Sequence, residues 1–374
     1  MNLFNKIQGQ ERAISILKNA ITNDRLSNSY LFHGPEGVGK FTTALHLAMA
    51  LNCEADIENR PCGKCNSCNK FMSFSHPDFV HLYPIPNIDL TETGEVKDEK
   101  IYKELKAYED NKIKTPWKEF HFSKNTQIRI DSIRRLQHKI SRSRNEARFK
   151  TFIIENADMM NIQAANAFLK TLEEPPDDAI IILTTSRHNV LLPTIISRCQ
   201  QIPFVRLSKE IIEKELEERE FLENLEAKIY ARVANGNMKK AFSLAETGMI
   251  ESRKTMLKFI DLILQDDEYK IIEYIKQFKH KSQRSYLDDM LSHLIIWLSD
   301  IALYVNSPGE IINIDKSDKI EEFYRKQPDI VTEMPKIINC LEDMQYKIKQ
   351  NVNPQLVLTN VYNQLRKYFA MDRK

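Results

Sequence analysis

Apolar positions along the chain follow two periods. Short unbroken apolar runs, at Tyr30–Phe32, Phe152–Ile154 and Ala179–Leu183, alternate with stretches in which apolar residues return every third or fourth place. The first pattern predicts strands buried on both faces, the second predicts amphipathic helices covering them, and together they predict a parallel sheet in an α/β domain. A further strand is expected after the turn at HisProAsp, His76 to Asp78. Helical stripes run through Ala13, Ile14, Leu17 and Ile21, and through Ala44, Leu45, Ala48 and Met49. Two more use Ile133, Leu136 and Ile140 behind an Asp131 or Ser132 cap, and Ala164, Ala165, Phe168, Leu169 and Leu172, stopped by Pro175 and Pro176. Beyond about residue 251 the strand pattern is gone, and helices are expected at Met256–Leu264, Tyr286–Val305, Ile337–Ile348 and Leu356–Phe369.

A length of 374 residues suits two or three domains. The pattern divides it into an α/β domain over 1–206, a charged helical segment over 207–250 and an all-helical domain over 251–374. Residues 84–125 are polar and read as an elaboration on the domain exterior, with a short surface helix near Ile101–Tyr108. Lys and Arg total 54 against 52 Asp and Glu, so any contact with nucleic acid must come from local patches. The run Leu294–Val305, broken by Ser299 and Asp300, falls short of the roughly 18 residues that span a bilayer. It reads as a buried helix. MNLFNKIQGQ lacks the charged-then-apolar plan of a signal segment, so the cytoplasm is the expected compartment.

The candidate chemistry centres on LeuPheHisGlyProGluGlyValGlyLys, Leu31 to Lys40. Gly34, Gly39 and Lys40 fit G-x-x-x-x-G-K-[ST], whose backbone N–H groups wrap a polyphosphate at a helix N-terminus, and Gly37 lies inside the loop. The last place holds Phe41, which has no oxygen for Mg²⁺. Thr42 comes one residue late, turned about 100° round the helix. At the end of the Phe152–Ile154 strand, where an ATPase of this layout presents two carboxylates, the chain has Glu155 and Asn156. An amide takes no proton from water, so the general base is absent from that place.

Four of six cysteines crowd between Cys53 and Cys68, with Cys62 and Cys65 between them. The C-x8-C-x2-C-x2-C spacing predicts a tetrahedral Zn²⁺ site, and a closed four-thiolate shell predicts a structural metal. His76 and His81 are weaker candidates for a ligand or catalytic group once that set is complete. Arg134, Arg135, Lys139, Arg142, Arg144 and Arg148 form a basic stretch that reads equally as a solvated face or as a contact for DNA phosphates or an acidic neighbour. Arg198, after ProThrIleIleSer, is expected exposed at the end of a short helix, placed to pair with phosphate. Thr184, Thr185 and Ser186 either reach the nucleotide site or cap the following turn.

These residues, with ArgLeu at Arg25, IleArgIleAspSerIleArgArgLeu, AsnAlaPheLeuLysThrLeuGluGluProPro and SerArgCys at Ser197, resemble the delta-prime subunits of bacterial DNA polymerase III clamp loaders, members of the AAA+ family. The likeness covers most of residues 1–250. It implies an AAA+ core over 1–206 with an inserted four-cysteine zinc module over 53–68, a helical lid over 207–250 and an all-helical oligomerisation collar over 251–374. Gly34 to Lys40 would be the Walker A loop, Glu155 and Asn156 the Walker B positions, Thr185 and Ser186 the sensor 1 region and Lys239 the sensor 2 position. Arg198 would be an arginine finger acting in trans on ATP held by a neighbouring motor subunit. The implied partners are gamma/tau motor subunits, the delta subunit, the sliding clamp and primed DNA. With Phe41 and Asn156 in place the family role implied is that of a non-hydrolysing partner, its own loop (Gly34, Gly37, Gly39, Lys40, Thr42) degenerate for ATP or ADP. Two other readings compete: an ATP-hydrolysing motor of the same loader, marked by turnover in the isolated chain, and a zinc-dependent nucleic-acid-binding module, marked by DNA affinity lost with the metal.

Overall fold

The computed structural model describes residues 2–88, 98–118, 120, 122–220, 222–247, 249–265, 267–278, 284–349 and 352–369. Five parallel strands, β1 (Ser29–His33), β2 (Phe79–Leu82), β3 (Lys150–Ile154), β4 (Ala179–Thr185) and β5 (Gln200–Pro203), lie in the order β2-β3-β4-β1-β5. Leu31 of β1 aligns with Leu183 of β4 and Gln201 of β5, and Phe152 of β3 aligns with Ile181 of β4 and Val80 of β2. Every residue of β3 and β4 is buried, as their unbroken apolar runs predict. β5 has no such run, since only Ile202 of its residues is buried, and the hydropathy pattern does not reveal it.

The helices in chain order are α1 (Glu11–Thr22), α2 (Lys40–Leu51), α3 (Asn66–Met72), α4 (Glu99–Lys114), α5 (Ile130–Ile140), α6 (Ile162–Glu173), α7 (Pro193–Ile196), α8 (Lys209–Glu220), α9 (Asn224–Ala234), α10 (Met238–Thr247), α11 (Met249–Gln265), α12 (Glu268–Lys276), α13 (Arg284–Asn306), α14 (Ser317–Lys326), α15 (Ile330–Lys349) and α16 (Pro354–Phe369). They belong to two compact units. One holds the described residues up to Leu216 together with Ala234–Ser243, and the other holds Glu217–Val233 and those from Leu244 onward.

In the first unit Ile133, Leu136 and Ile140 of α5 and Ala164, Phe168 and Leu172 of α6 share a core with Leu31, Phe152, Ile154, Ile181 and Leu183. The alternate strand positions, Tyr30, Phe32, Ile153 and Ile182, are buried on the opposite face by strand alternation. α5 starts earlier than its expected cap: Ile130 is already helical, Arg129 is the cap residue, and Asp131 sits in the first turn where its charge complements the helix dipole. α6 is capped by the Asn161 side chain, which accepts from the Ala164 N–H at 2.8 Å. Of the helical stripe expected in α2, Ala44, Ala48 and Met49 are buried and Leu45 only half so.

HisProAsp anchors the chain beside β2. The Asp78 carboxylate accepts from the backbone N–H of Asn145, Glu146 and Ala147, each at 2.8 Å, and from Asn145 Nδ2 at 2.9 Å, pinning the chain where it enters β3. Burial alone would raise this carboxyl, but those donors outweigh it and hold it below its ordinary value. The stabilisation is therefore present above the unfolded pKa of about 4 and is lost as pH falls through the lower folded value. Asp78→Ala is expected to cost about 2–4 kcal/mol in urea unfolding of this unit. Its specific mark is loss of hydrogen-exchange protection at the amides of 145–147; protection retained there would contradict the anchor.

In the second unit α13 is the central helix. Leu287, Leu291, Leu294, Leu298 and Ile301 are fully buried, and the helix packs on α11, α14 and α15. The interrupting Asp300 is itself buried, and its carboxylate accepts from the N–H of Ile312 and Asn313, each at 2.7 Å. That is why a charge is tolerated inside the apolar run. The described helices include α12 and α14, which the apolar stripe does not single out because both are short and strongly charged. No described helix is long and apolar enough to cross a membrane.

Candidate functional site

The phosphate loop runs from the C-terminal end of β1 to the first turn of α2, and its glycines are required by geometry. Gly34 comes so close to β5 that a Cβ there would lie 2.3 Å from the Phe204 carbonyl oxygen. Gly37 has φ +70°, and a Cβ would meet Asn237 Oδ1 at 1.9 Å. Gly39, at φ +92°, is the cap residue of α2. The Met238 N–H donates to Gly37 O at 3.1 Å, so the start of α10, with half-buried Lys239, packs on the loop.

Lys40 does not point away into an open cradle. Its ammonium is folded back onto its own loop, donating to Gly34 O at 2.8 Å, to Pro35 O and to Ser186 Oγ at 3.0 Å. Burial brings it down to about 8, with Glu36 opposing and Lys239 reinforcing that shift. Phe41 is buried, its ring against His81 at 4.7 Å and Phe74 at 6.1 Å between centroids. Thr42 lies half-buried on α2, one step round the helix.

Glu155 follows β3 and is 5% exposed. Its Oε2 accepts from Tyr108 OH at 2.8 Å and faces His81 Nε2 at 3.1 Å, while its Oε1 takes the Lys112 ammonium. Burial would raise this carboxyl, yet Lys112 and His81 beside it hold it well below the usual carboxylate range. Tyr108 and Lys112 stand one turn apart on α4. The segment expected to be a surface elaboration thus reaches the interior, although its residues 89–97, 119 and 121 lie outside those described. Tyr108 is seated there by Tyr83 at 4.4 Å and Phe122 at 5.3 Å. Nothing but the i, i+4 spacing of Tyr108 and Lys112 marks this role in the sequence.

Asn156 has φ +52°, a left-handed conformation that Asn adopts more readily than most residues. Its N–H donates to Thr184 Oγ1 at 3.3 Å. Asp158, which no motif in the sequence marks, accepts from Thr185 Oγ1 and Arg187 Nε, both at 2.7 Å. Thr185 therefore holds the turn after β3 and Ser186 binds Lys40, so these residues lie beside the loop.

Arg198 is placed elsewhere. It follows α7 and is half-buried instead of freely exposed, donating to Thr194 O at 2.9 Å and to Glu173 Oε1 at 2.7 Å. The reason is α6, whose C-terminal carboxylate reaches across to it. Arg134 and Arg135 are exposed on α5, and Arg134 faces Asp131 at 3.5 Å.

The ligand atoms of Cys53, Cys62, Cys65 and Cys68 all lie within 4.8 Å of one another. Sγ of Cys62 is 4.0 Å from that of Cys68, and Sγ of Cys65 is 4.0 Å from that of Cys53. Tetrahedral Zn–S bonds of about 2.3 Å require sulfurs about 3.8 Å apart, so the set fits zinc. Backbone N–H groups of Lys64 and Cys65 point at Cys62 Sγ, each at 3.4 Å. Burial disfavours the Cys62 thiolate, but those donors outweigh it and bring the thiol down to about 6. His76 stacks on Phe71 at 4.3 Å and stays outside the cluster, and His81 is committed to Glu155.

A family model described as DNA polymerase III, delta subunit, matches residues 9–208. DNA polymerase III subunit delta' of Bacillus subtilis is 30% identical across 84% of this chain and 83% of its own length. Subunit tau of the same organism is 27% identical across 86% of this chain, which spans 54% of that longer protein. Among solved structures, a gamma subunit-related protein from Thermotoga maritima aligns with 95% of this chain and 99% of its own at 18% identity and a TM-score of 0.39. That superposition is too loose to transfer geometry.

Proposed function

Because the chain belongs to the DNA polymerase III clamp-loader family, we propose that it is a non-hydrolysing, delta-prime-type subunit that lends Arg198 to ATP bound by a neighbouring motor subunit. The observation carrying this reading is the closure of its own site. The carboxylate expected to hold Mg²⁺ is bonded to Lys112, Tyr108 and His81, and the expected hydroxyl is a buried phenylalanine. Lys40, which would reach a nucleotide's phosphates, is spent on the loop carbonyls of Gly34 and Pro35 and on Ser186 Oγ. These residues do not fit magnesium-bound ATP, so no step is assigned to it in this chain.

Chemistry in trans asks less of the chain. A guanidinium beside the transferring phosphoryl group offsets its developing charge and needs no metal or base on the same subunit. Arg198 is held by one partly exposed carboxylate, a pairing worth about 0–1 kcal/mol, so a phosphate can displace Glu173 at little cost. In this reading residues 207–250 form the lid, residues 251–374 join a collar with gamma/tau and delta subunits, and the assembly opens a sliding clamp for primed DNA in the cytoplasm. Cys53, Cys62, Cys65 and Cys68 would hold one structural zinc, which closes the knuckle and does no chemistry.

Steady-state ATP hydrolysis with added MgCl₂, measured on the isolated chain and on its mixture with motor subunits, tests the assignment. The chain alone should be indistinguishable from a blank. The mixture should elute at the mass of a mixed assembly with higher ATPase than the motors alone. Turnover by the isolated chain would favour a motor subunit, and failure to join the motors would sink the reading.

A further inference from the structure

We propose that Lys112 is a built-in replacement for the divalent cation at this chain's own phosphate loop, and that together with Phe41 it bars magnesium-bound nucleoside triphosphates from the site. The proposal rests on the reading of Glu155 as the carboxylate that a divalent ion would need. It adds what occupies that carboxylate, and it gives the segment before β3 a purpose.

Both oxygens of Glu155 are taken: Oε1 by the Lys112 ammonium, Oε2 by Tyr108 OH at 2.8 Å and His81 Nε2 at 3.1 Å. The ammonium is buried, at 6% residue exposure, and lies over the Phe41 ring 4.7 Å from its centroid and over the Tyr108 ring at 5.4 Å. Phe41 occupies the sequence place of the metal-binding hydroxyl. One side of the expected ion site is therefore a fixed cation on the carboxylate, and the other is an aromatic face turned towards that cation. Such contacts favour a positive charge held in low dielectric. Burial is the main cause that lowers both Lys40 and Lys112, and the charge of Lys239 lowers both further, so a site that already holds these ammonium groups opposes added positive charge.

α4 delivers this group as a unit. Tyr108 and Lys112 project from the same face one turn apart, and Tyr108 is clamped among Tyr83, Phe120 and Phe122. A dication at Glu155 must displace Lys112 from its place between that carboxylate and the rings of Phe41 and Tyr108, leaving a buried ammonium without its counter-ion. A single Phe→Ser change does not achieve that.

The test uses the full chain and ATP with a fluorescent ribose tag, with and without added MgCl₂ and with no chelator, so that the cysteine site is undisturbed. Wild type and Phe41→Ser should show no Mg²⁺-dependent binding. Phe41→Ser/Lys112→Met, which restores a hydroxyl and frees Glu155, should bind at least about tenfold more tightly with Mg²⁺ than without. Added MgCl₂ should also raise the Tm of Lys112→Met, whose Glu155 lacks its cation, and leave that of Lys112→Met/Glu155→Gln unchanged. Mg²⁺-dependent binding by wild type or by Phe41→Ser alone would overturn the proposal. So would a folded double variant that gains none. Should the double variant fail to fold, the Tm comparison carries the test: a MgCl₂-dependent rise in Lys112→Met that is lost in Lys112→Met/Glu155→Gln supports the proposal, and no rise in Lys112→Met overturns it. Arg198 plays no part in these assays, so this inference and the trans role of Arg198 can fail independently.

Discussion

Cys65→Ser is expected to destabilise the sheet-bearing unit more than Asp78→Ala or any of the phosphate-loop substitutions. Structural zinc contributes on the order of 10–16 kcal/mol in small zinc folds, comparable with the whole stability of a domain. Losing even a third of it, about 5 kcal/mol, would abolish a cooperative transition near physiological temperature. The cluster ties Cys53, just past the end of α2, to Cys62, Cys65 and Cys68 around α3, a helix of 7 residues that is too short to persist unaided. Beneath it Phe71 packs on His76 and Phe79, so loosening α3 exposes the edge of the sheet at β2. Thermal unfolding followed by circular dichroism, with zinc release counted by a chromogenic chelator, should show one zinc per chain. Loss of the metal should be accompanied by a lower-melting, broader transition. An apo protein melting at the same temperature would contradict a structural metal. DNA affinity of the intact chain that vanished with zinc while the fold survived would favour the nucleic-acid-binding alternative.

The parts legible in the sequence are those that one local pattern encodes. β3 and β4 announce themselves because both faces are buried, the loop glycines because the backbone must come close to β5 and α10, and the cysteines because short spacing brings sulfurs together. The parts that stay hidden depend on distant segments meeting. β5 buries only Ile202, too little for a period, and α4 reads as a charged surface helix until the fold sets Tyr108 and Lys112 against Glu155. Asn156 is legible as a missing base, but its left-handed backbone, a local reason for the amide, is a structural fact. Likewise Glu173, 25 residues before Arg198, turns an expected free arginine into a half-buried one. The polar insertion therefore carries more of the site than its composition reveals, and the apparent exposure of a lone arginine says little about its resting place.

Arg198→Ala is expected to leave folding and assembly intact, because the side chain gives up only a bond to Thr194 O and a partly exposed ion pair. Its effect on catalysis should be large. An arginine supplied to a transferring phosphoryl group accelerates hydrolysis by roughly 10³–10⁵-fold, so the motor site served by this chain should fall silent while sites served by other subunits continue. Arg198→Lys should rescue little, since an ammonium lacks the planar fork that spans two phosphate oxygens. Glu173→Ala, which only releases the arginine, should leave the rate at or above that of the wild type. The decisive measurement is the steady-state ATPase of a loader reassembled with Arg198→Ala in place of the wild-type chain. The account predicts normal assembly mass with the turnover of the adjacent motor site lost, and unchanged turnover in that correctly assembled complex would contradict it.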